Sequence, residues 1–391
     1  MVEVVITGIG LVSALGTSLE GSWQKLIAGE SGIKLHQPFL ELEPLPLGLI
    51  GQQPASLIML TQLVVDAAIK DAGLLTKLPD CAVVIGSSRS HQASWERLAR
   101  NRYTKSLNQE SFVIGERLED WLETLPHMNA IASARKIGAK GIVLAPMAAC
   151  STGIWAISQA ALLIKTGQCE IAIAGATEAP ITPLTISGFQ QMGALAKTGA
   201  YPFDLHREGL VLGEGGAVFV LESKALAQKR QAKIYGEILG FGLTADAHHP
   251  NQPDLEGKSA IAAIKQALER SHLNPHDIDY IHAHGTATQL NDQMESNVIK
   301  KLFPYTVAVS STKGATGHTL GASGALGLAF TLLGMQHQIL PPNIGLKQSE
   351  FDLNVVRTAY HCQIRQALCL SFGFGGQNAV IVIKKNYSLG V

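Results

Sequence analysis

The segment GEGGAVFVLE at residues 213–222 returns in altered form near the end of the chain as GFGGQNAVIVI at 373–383. Each is a Gly-x-Gly-Gly turn running into an apolar strand, and before each lies a strand and a helix that must be buried. An echo of this kind constrains the fold more than any single element, because it implies two similar α/β halves. The halves divide in the basic, polar segment 224–235, giving residues 1–235 and 236–391. Two unrelated hairpins that both need glycine for a positive φ would leave the same trace, and the echo by itself carries no chemistry.

The rest of the chain fits the α/β reading. Short β-branched runs recur at 2–8 (VEVVITG), 81–87 (CAVVIGS), 170–176 (EIAIAGA) and 217–222 (AVFVLE), and later as IDYIHAHG and TVAVSS. Between them lie helical stretches; the run Ser151 to Lys165, which begins STGIWAISQ, is apolar on almost every face, so it is expected as an enclosed helix ending at Thr166-Gly167. A second enclosed helix is expected at 324–336. Residues 88–126 are polar, charged and carry two of the four tryptophans, which reads as a surface excursion or lid.

Composition narrows the function. The 31 Lys and Arg balance 31 Asp and Glu, so no global field favours nucleic acid or an anionic membrane. No stretch reaches the roughly 18 apolar residues of a membrane span. The start, MVEVVITGIG, places Glu3 where a signal peptide would carry positive charge. Five cysteines without a CxxC pair indicate neither a disulfide framework nor a zinc knuckle, and fit a reducing, cytoplasmic setting.

Three residues stand where chemistry is expected. Cys150, in PMAACSTG, immediately precedes the first enclosed helix, where unpaired N–H groups and the helix dipole would favour a thiolate. On spacing alone it reads equally as a small core residue, as Cys81, Cys169, Cys362 and Cys369 do. His284 closes the run IDYIHAH, and His318 lies between a strand and a glycine-rich helix start. Reactive groups gather at such strand ends in α/β folds, so the three point to one shared pocket. His282 and His284 alternate onto one strand face, yet no further ligand follows at zinc spacing, and no metal is expected. His248 and His249 read as solvent exposed or as a loop anchor. Asp292 and Glu295 share a helix face, and with Lys313 they would form a buried network fixing the histidines' orientation and tautomers, or an ordinary surface salt bridge.

Taken together these motifs resemble the elongating, Cys-His-His type of β-ketoacyl-[acyl-carrier-protein] synthase in the thiolase-like superfamily. The resemblance runs in order through VVITGIGLVSALG, PMAACSTG, EIAIAGATE, PFDLHREGLVLGEGGAVFVLES, HAHGTATQLND, STKGATGHTLGASGA and LSFGFGGQN. It implies a thiolase-like five-layer αβαβα fold with two pseudo-repeated halves, and a homodimer that works with an acyl carrier protein and needs no cofactor of its own. By resemblance, Cys150 is the nucleophile that takes the acyl chain, and His284 and His318 promote decarboxylation of the malonyl thioester. Backbone N–H groups of Cys150 and Phe374 form the oxyanion hole, with Phe374 also the gate. Thr286 and Thr288 bind the pantetheine arm, while Lys313, Asp292 and Glu295 support the histidines.

The chain departs from the pattern in three places. Gly327 stands nine residues after the second histidine, where the family usually has a glutamate. Segment 88–126 lacks the family's usual glycine-rich stretch and proline-asparagine-rich approach, of which only Met128-Asn129 remains before SARKIGAKG. Ala200-Tyr201 replaces a basic residue before PFD, so a carrier-docking patch must come from elsewhere, with Arg135, Lys136 and Lys140 as candidates. Two other readings follow: a non-catalytic chain-length-factor-like subunit of a heterodimer, disfavoured by the presence of all three catalytic residues, and a degradative thiolase, disfavoured because LSFGFGGQN has no second cysteine.

Overall fold

The computed structural model describes residues 2–107 and 121–386. Ten strands join in one sheet: β1 (Val4–Val12), β4 (Ala82–Gly86), β5 (Val143–Leu144), β6 (Ile171–Glu178), β7 (Gly215–Ser223), β8 (Gly236–Ala245), β9 (Tyr280–His282), β10 (Ala308–Ser310), β13 (Gln366–Gly373) and β14 (Gln377–Lys384). Two small hairpins complete the strands, β2 (Lys34–His36) with β3 (Leu45–Leu47), and β11 (Ile339–Leu340) with β12 (Tyr360–His361).

The order β10-β9-β13-β14-β8-β1-β7-β6-β4-β5 repeats itself outward from its centre. From β1, the pairings with β7, then β6, are antiparallel, and those with β4 and β5 are parallel. From β8, the sequence β14, β13, β9, β10 follows the same pattern. The echoed strands are therefore topological equivalents, β7 in one half and β14 in the other. Within the sheet the halves join through three residue pairs, Val4–Ile238, Val5–Glu237 and Ile6–Gly236.

Strand alternation builds the layers. On β7, Phe219 and Leu221 face inward to the helices Thr152–Lys165 and Ser323–His337, while Val218 and Val220 face the outer helices Leu57–Asp71 and Met128–Ile137. On β14, Ile381 and Ile383 face the same inner helices, and Val380 and Val382 face Lys258–Arg270 and Gln289–Leu302. Two five-stranded halves thus enclose a central helical layer and carry helices outside, which is the five-layer thiolase-like arrangement. The inner helices are apolar all round because they meet sheet on two sides, and each fully buried aliphatic side chain there contributes about 1.5–3 kcal/mol of transfer free energy.

Several expectations change in detail. The run 278–285 pairs as strand only at Tyr280–His282, which frees His284 from the ladder. Part of the polar segment 88–126 is a helix, Gln92–Leu107, and residues 108–120 of the expected lid lie outside the described residues. Cys81 and Cys369 are buried as core, whereas Cys169 and Cys362 are half-buried. No helix among the described residues is long and apolar enough to cross a membrane.

Candidate active site

The chain enters the first inner helix through a strained elbow. Ala149 adopts a left-handed backbone (φ 46°), a conformation that costs an ordinary L residue about 1–2 kcal/mol. The turn is held by Thr152 Oγ1, which donates to Ala149 O (2.7 Å) and accepts from Ala148 N (2.9 Å), and by Ser151 Oγ, which donates to Ala148 O (2.7 Å). Cys150 is thereby turned out of the helix at its N-terminal end. Its carbonyl accepts from Ser371 Oγ (3.0 Å), tying the nucleophile candidate to β13 of the other half.

His284 and His318 converge on this sulfur. Sγ of Cys150 and one ring nitrogen from each histidine lie within 4.8 Å of one another, and all three residues are buried. The imidazoles meet edge to face, their centroids 5.4 Å apart, and Phe372 packs edge-on against His284. His282 is not part of the cluster; its Nε2 lies 3.2 Å from Thr312 Oγ1, so the pairing of His282 with His284 as metal ligands does not form.

The two Gly-x-Gly-Gly turns act across the halves. In the turn before β7, Gly213 N donates to His318 O (3.0 Å), and His318 N donates to Val211 O (2.6 Å). In the turn after β13, the Phe374 N–H lies close enough to the Cys150 sulfur to favour its thiolate, and Gly373 lies so close that a Cβ there would stand 3.0 Å from Cys150 N. Each half's turn therefore positions a member of the cluster supplied by the other half. The echo carries a role in positioning that neither copy reveals alone.

Burial sets the protonation states. The Cys150 thiol is pushed up to about 11 because desolvation outweighs the Phe374 N–H and the charges of Lys313 and Arg89. This runs against the expectation that the helix N-terminus favours the thiolate: that N-terminus is present, but the sulfur sits in an apolar cluster with Leu210, Leu320 and Phe189. Burial, reinforced by Lys313, holds both His284 and His318 well below their ordinary value, so both rings are neutral around pH 7.

The supporting network acts on the backbone. Glu295 accepts from the N–H of His284 (2.6 Å) and of Gly285 (2.7 Å), while Lys313 Nζ donates to His284 O. Asp292 accepts from Phe203 N (2.8 Å) and Thr286 N (3.1 Å), joining the PFD and HGTAT motifs. These are buried groups, so the surface salt-bridge alternative does not hold. The expectation that they fix the tautomers also needs correction, since Nδ1 of both His284 and His318 is buried without a hydrogen-bond partner. The carboxylates fix where His284 is, and leave its ring free to respond to a ligand. Burial drives Lys313 down to about 8 and Glu295 up to about 7.

A cleft of about 260 Å³ opens onto the cluster, lined by Cys150, His284, His318 and Phe374, with Thr286 and Thr288 along its wall. The two threonine hydroxyls share a hydrogen bond of 2.9 Å. Phe374 stacks on Phe189, centroids 5.9 Å apart, and the glycines beside it at 375 and 376 have φ near 75°, with Gly375 N donating to Pro250 O (2.8 Å). No lysine or arginine lines the cleft among the described residues. Of the proposed docking cations, Arg135 is paired with Glu123 and Lys136 with Asp66, while Lys140 is exposed.

Sequence reasoning missed Glu178. This fully buried carboxylate accepts from Ser87 Oγ (2.6 Å), Ser88 N (2.7 Å), Arg89 N (2.9 Å) and Gly321 N (3.0 Å), binding the β4 exit to the loop that carries His318. The only available signal was a charge ending an apolar strand. His249 behaves as the expected loop anchor, accepting weakly from the N–H groups of Asn251 and Gln252.

Comparison with known proteins accords with this geometry. The "Beta-ketoacyl synthase, N-terminal domain" family model matches residues 52–227, and its C-terminal counterpart matches 235–347. The chain is 35% identical over 416 residues to 3-oxoacyl-[acyl-carrier-protein] synthase 2 of Coxiella burnetii, covering 98% of each chain. It is 33% identical to the mitochondrial 3-oxoacyl-[acyl-carrier-protein] synthase of Arabidopsis thaliana, covering 97% of this chain and 92% of that one. Among solved structures, a chain from a type II polyketide acyl-carrier protein in complex with its hexaketide-bound ketosynthase superposes with a TM-score of 0.91 at 28% identity, covering 98% and 100% of the two chains. A ketosynthase in complex with its chain length factor from Xenorhabdus doucetiae gives 0.80 at 26% identity, covering 98% of each. On these full-length matches, the chain belongs to the beta-ketoacyl synthase family.

Proposed function

We propose that this protein catalyses decarboxylative condensation of malonyl-[acyl-carrier-protein] with an acyl chain carried on Cys150, giving a 3-ketoacyl-[acyl-carrier-protein]. The observation that carries the reading is the meeting of Cys150, His284 and His318 within 4.8 Å in a cleft of about 260 Å³ that Thr286 and Thr288 also line. The Cys150 sulfur attacks the acyl thioester, its proton leaves with the carrier thiol, and the acyl group becomes a Cys150 thioester. Because the thiol rests protonated, proton loss accompanies attack. An adjacent neutral imidazole is the group placed to assist it.

In the second half-reaction the malonyl carboxylate leaves as carbon dioxide, and its bonding pair becomes the enolate of the remaining thioester. Two neutral imidazoles can each donate an N–H to that oxygen. The enolate carbon attacks the Cys150 thioester, the oxyanion is held by the N–H groups of Cys150 and Phe374, and the C–S bond breaks to release the thiolate, which regains a proton. The reaction balances on these residues and two thioesters, so no resident cofactor or metal is invoked. Lys313 and Glu295 hold the His284 backbone, Asp292 holds that of Thr286, and Thr286 and Thr288 face the arm.

The presence of the nucleophile and both histidines favours this reading over a non-catalytic subunit. Cys369 gives no support to thiolase chemistry: it is buried in β13 against Thr331, and desolvation pushes its thiol up to about 12. We assign an acyl carrier protein as the partner, in line with the carrier protein named in the structural relative. A second copy of this chain would pair at the open edge β5, where Ile142, Leu144 and Met147 are exposed; a different ketosynthase subunit there would make a heterodimer. The five free cysteines suit a reducing compartment such as the cytoplasm.

Intact-protein mass after incubation with acyl-carrier proteins of several chain lengths tests the reading. A chain-sized gain in wild type that is absent in Cys150→Ala supports it, and no gain with any donor overturns it.

A further inference from the structure

Arg89 is a half-buried cation beside an apolar nucleophile site, and the condensation chemistry has no use for it. Its backbone N–H is fixed by Glu178, and its guanidinium lies 5.7 Å from the centroid of Phe189. Phe189 in turn stacks on Phe374 and packs in the same cluster as Cys150. The guanidinium forms no hydrogen bond or ion pair among the described residues, although it is close enough for its charge to favour the Cys150 thiolate. The ring it lies over, Phe189, packs in one apolar cluster with Ile181, Ile186 and Leu320.

A saturated acyl chain on Cys150 would gain nothing from an arginine there and would cover a cation that needs acceptors. A planar guanidinium stacked on an aromatic ring presents its fork of donors to a carbonyl or carboxylate. We propose that Arg89 selects acyl chains bearing an acceptor oxygen, carbonyl or carboxylate, a few carbons from the thioester. This rests on the assignment of Cys150 as the acyl-carrying nucleophile.

The test compares loading of Cys150 by carrier proteins bearing butyryl, hexanoyl, acetoacetyl and glutaryl groups, followed by intact mass against time. The acetoacetyl and glutaryl arms separate an internal carbonyl from a terminal carboxylate. Wild type is expected to load at least one oxygenated donor about tenfold faster than the saturated chain of similar length, the scale of one charge-assisted hydrogen bond. In Arg89→Leu the preference should vanish and saturated chains should load faster. Arg89→Lys, which keeps charge and loses the fork, should retain part of the preference and guards against a folding defect in the leucine variant. Equal loading of all donors by wild type, or an unchanged preference in Arg89→Leu, overturns the role of Arg89 while leaving Cys150 as nucleophile. Failure of every donor to load overturns the parent assignment and this one together.

Discussion

The imidazole of His282 fills the space that a side chain at residue 327 would need: a Cβ built on Gly327 would stand 2.5 Å from Cε1 and 2.6 Å from Nδ1 of that ring. The position where the resembling family usually carries a glutamate is thus occupied from the facing strand. Desolvation and the charge of Lys313 hold His282 down to about 3, so a neutral ring stands in the place of a carboxylate. This pairing predicts that Gly327→Ala costs about 1–3 kcal/mol through overpacking. The double variant with His282→Ala should recover much of it, so a double-mutant cycle by chemical denaturation should give a clear coupling energy; additivity would contradict the contact.

A thiol held up to about 11 is far less ionised at pH 7–8 than a free cysteine. Alkylation of Cys150 by iodoacetamide should therefore rise about tenfold per pH unit through pH 9, with no plateau near 8.5. Lys313→Met removes a charge that favours the thiolate and should slow alkylation further. Peptide mass mapping with Cys150→Ala as control reads both; a plateau below pH 8 would refute the buried-thiol assignment.

Both histidines of the cluster, His284 and His318, are held neutral to well below pH 6.5. Lowering the pH from 8 to 6 leaves them unprotonated, so decarboxylation of malonyl-carrier should show no inflection at 6.5. His284→Ala and His318→Ala should each lower condensation by about 10²- to 10⁴-fold while sparing self-acylation more. Carbon dioxide release measured beside acylation separates the half-reactions, and equal losses in both would contradict the division of labour.

Glu178→Ala would strand the buried N–H groups of Ser88, Arg89 and Gly321. The expected loss of stability is about 3–5 kcal/mol, with Glu178→Gln losing less because its amide oxygen still accepts. Thermal denaturation of the two variants tests the ranking, and near-equal midpoints would show that water replaces the carboxylate.

What residue order determines here follows from local physics. Alternating β-branched runs, the apolar girth of Ser151 to Lys165 and the Gly-x-Gly-Gly echo disclosed the halves and the enclosed helices, since periodicity and turn chemistry act within a few residues. The conjunction of PMAACSTG, HAHGTATQLND and STKGATGHT disclosed Cys150, His284 and His318. Tertiary structure alone decided the rest. That Gly213 holds His318, and that the Phe374 N–H reaches Cys150, depends on one half closing over the other. The upward displacement of the Cys150 thiol depends on Leu210, Phe189 and Leu320 arriving from distant segments to exclude water, and the five hydrogen bonds that explain Glu178 come from two loops more than 200 residues apart. Desolvation and long-range hydrogen bonding are properties of the assembled fold, and no local pattern records them.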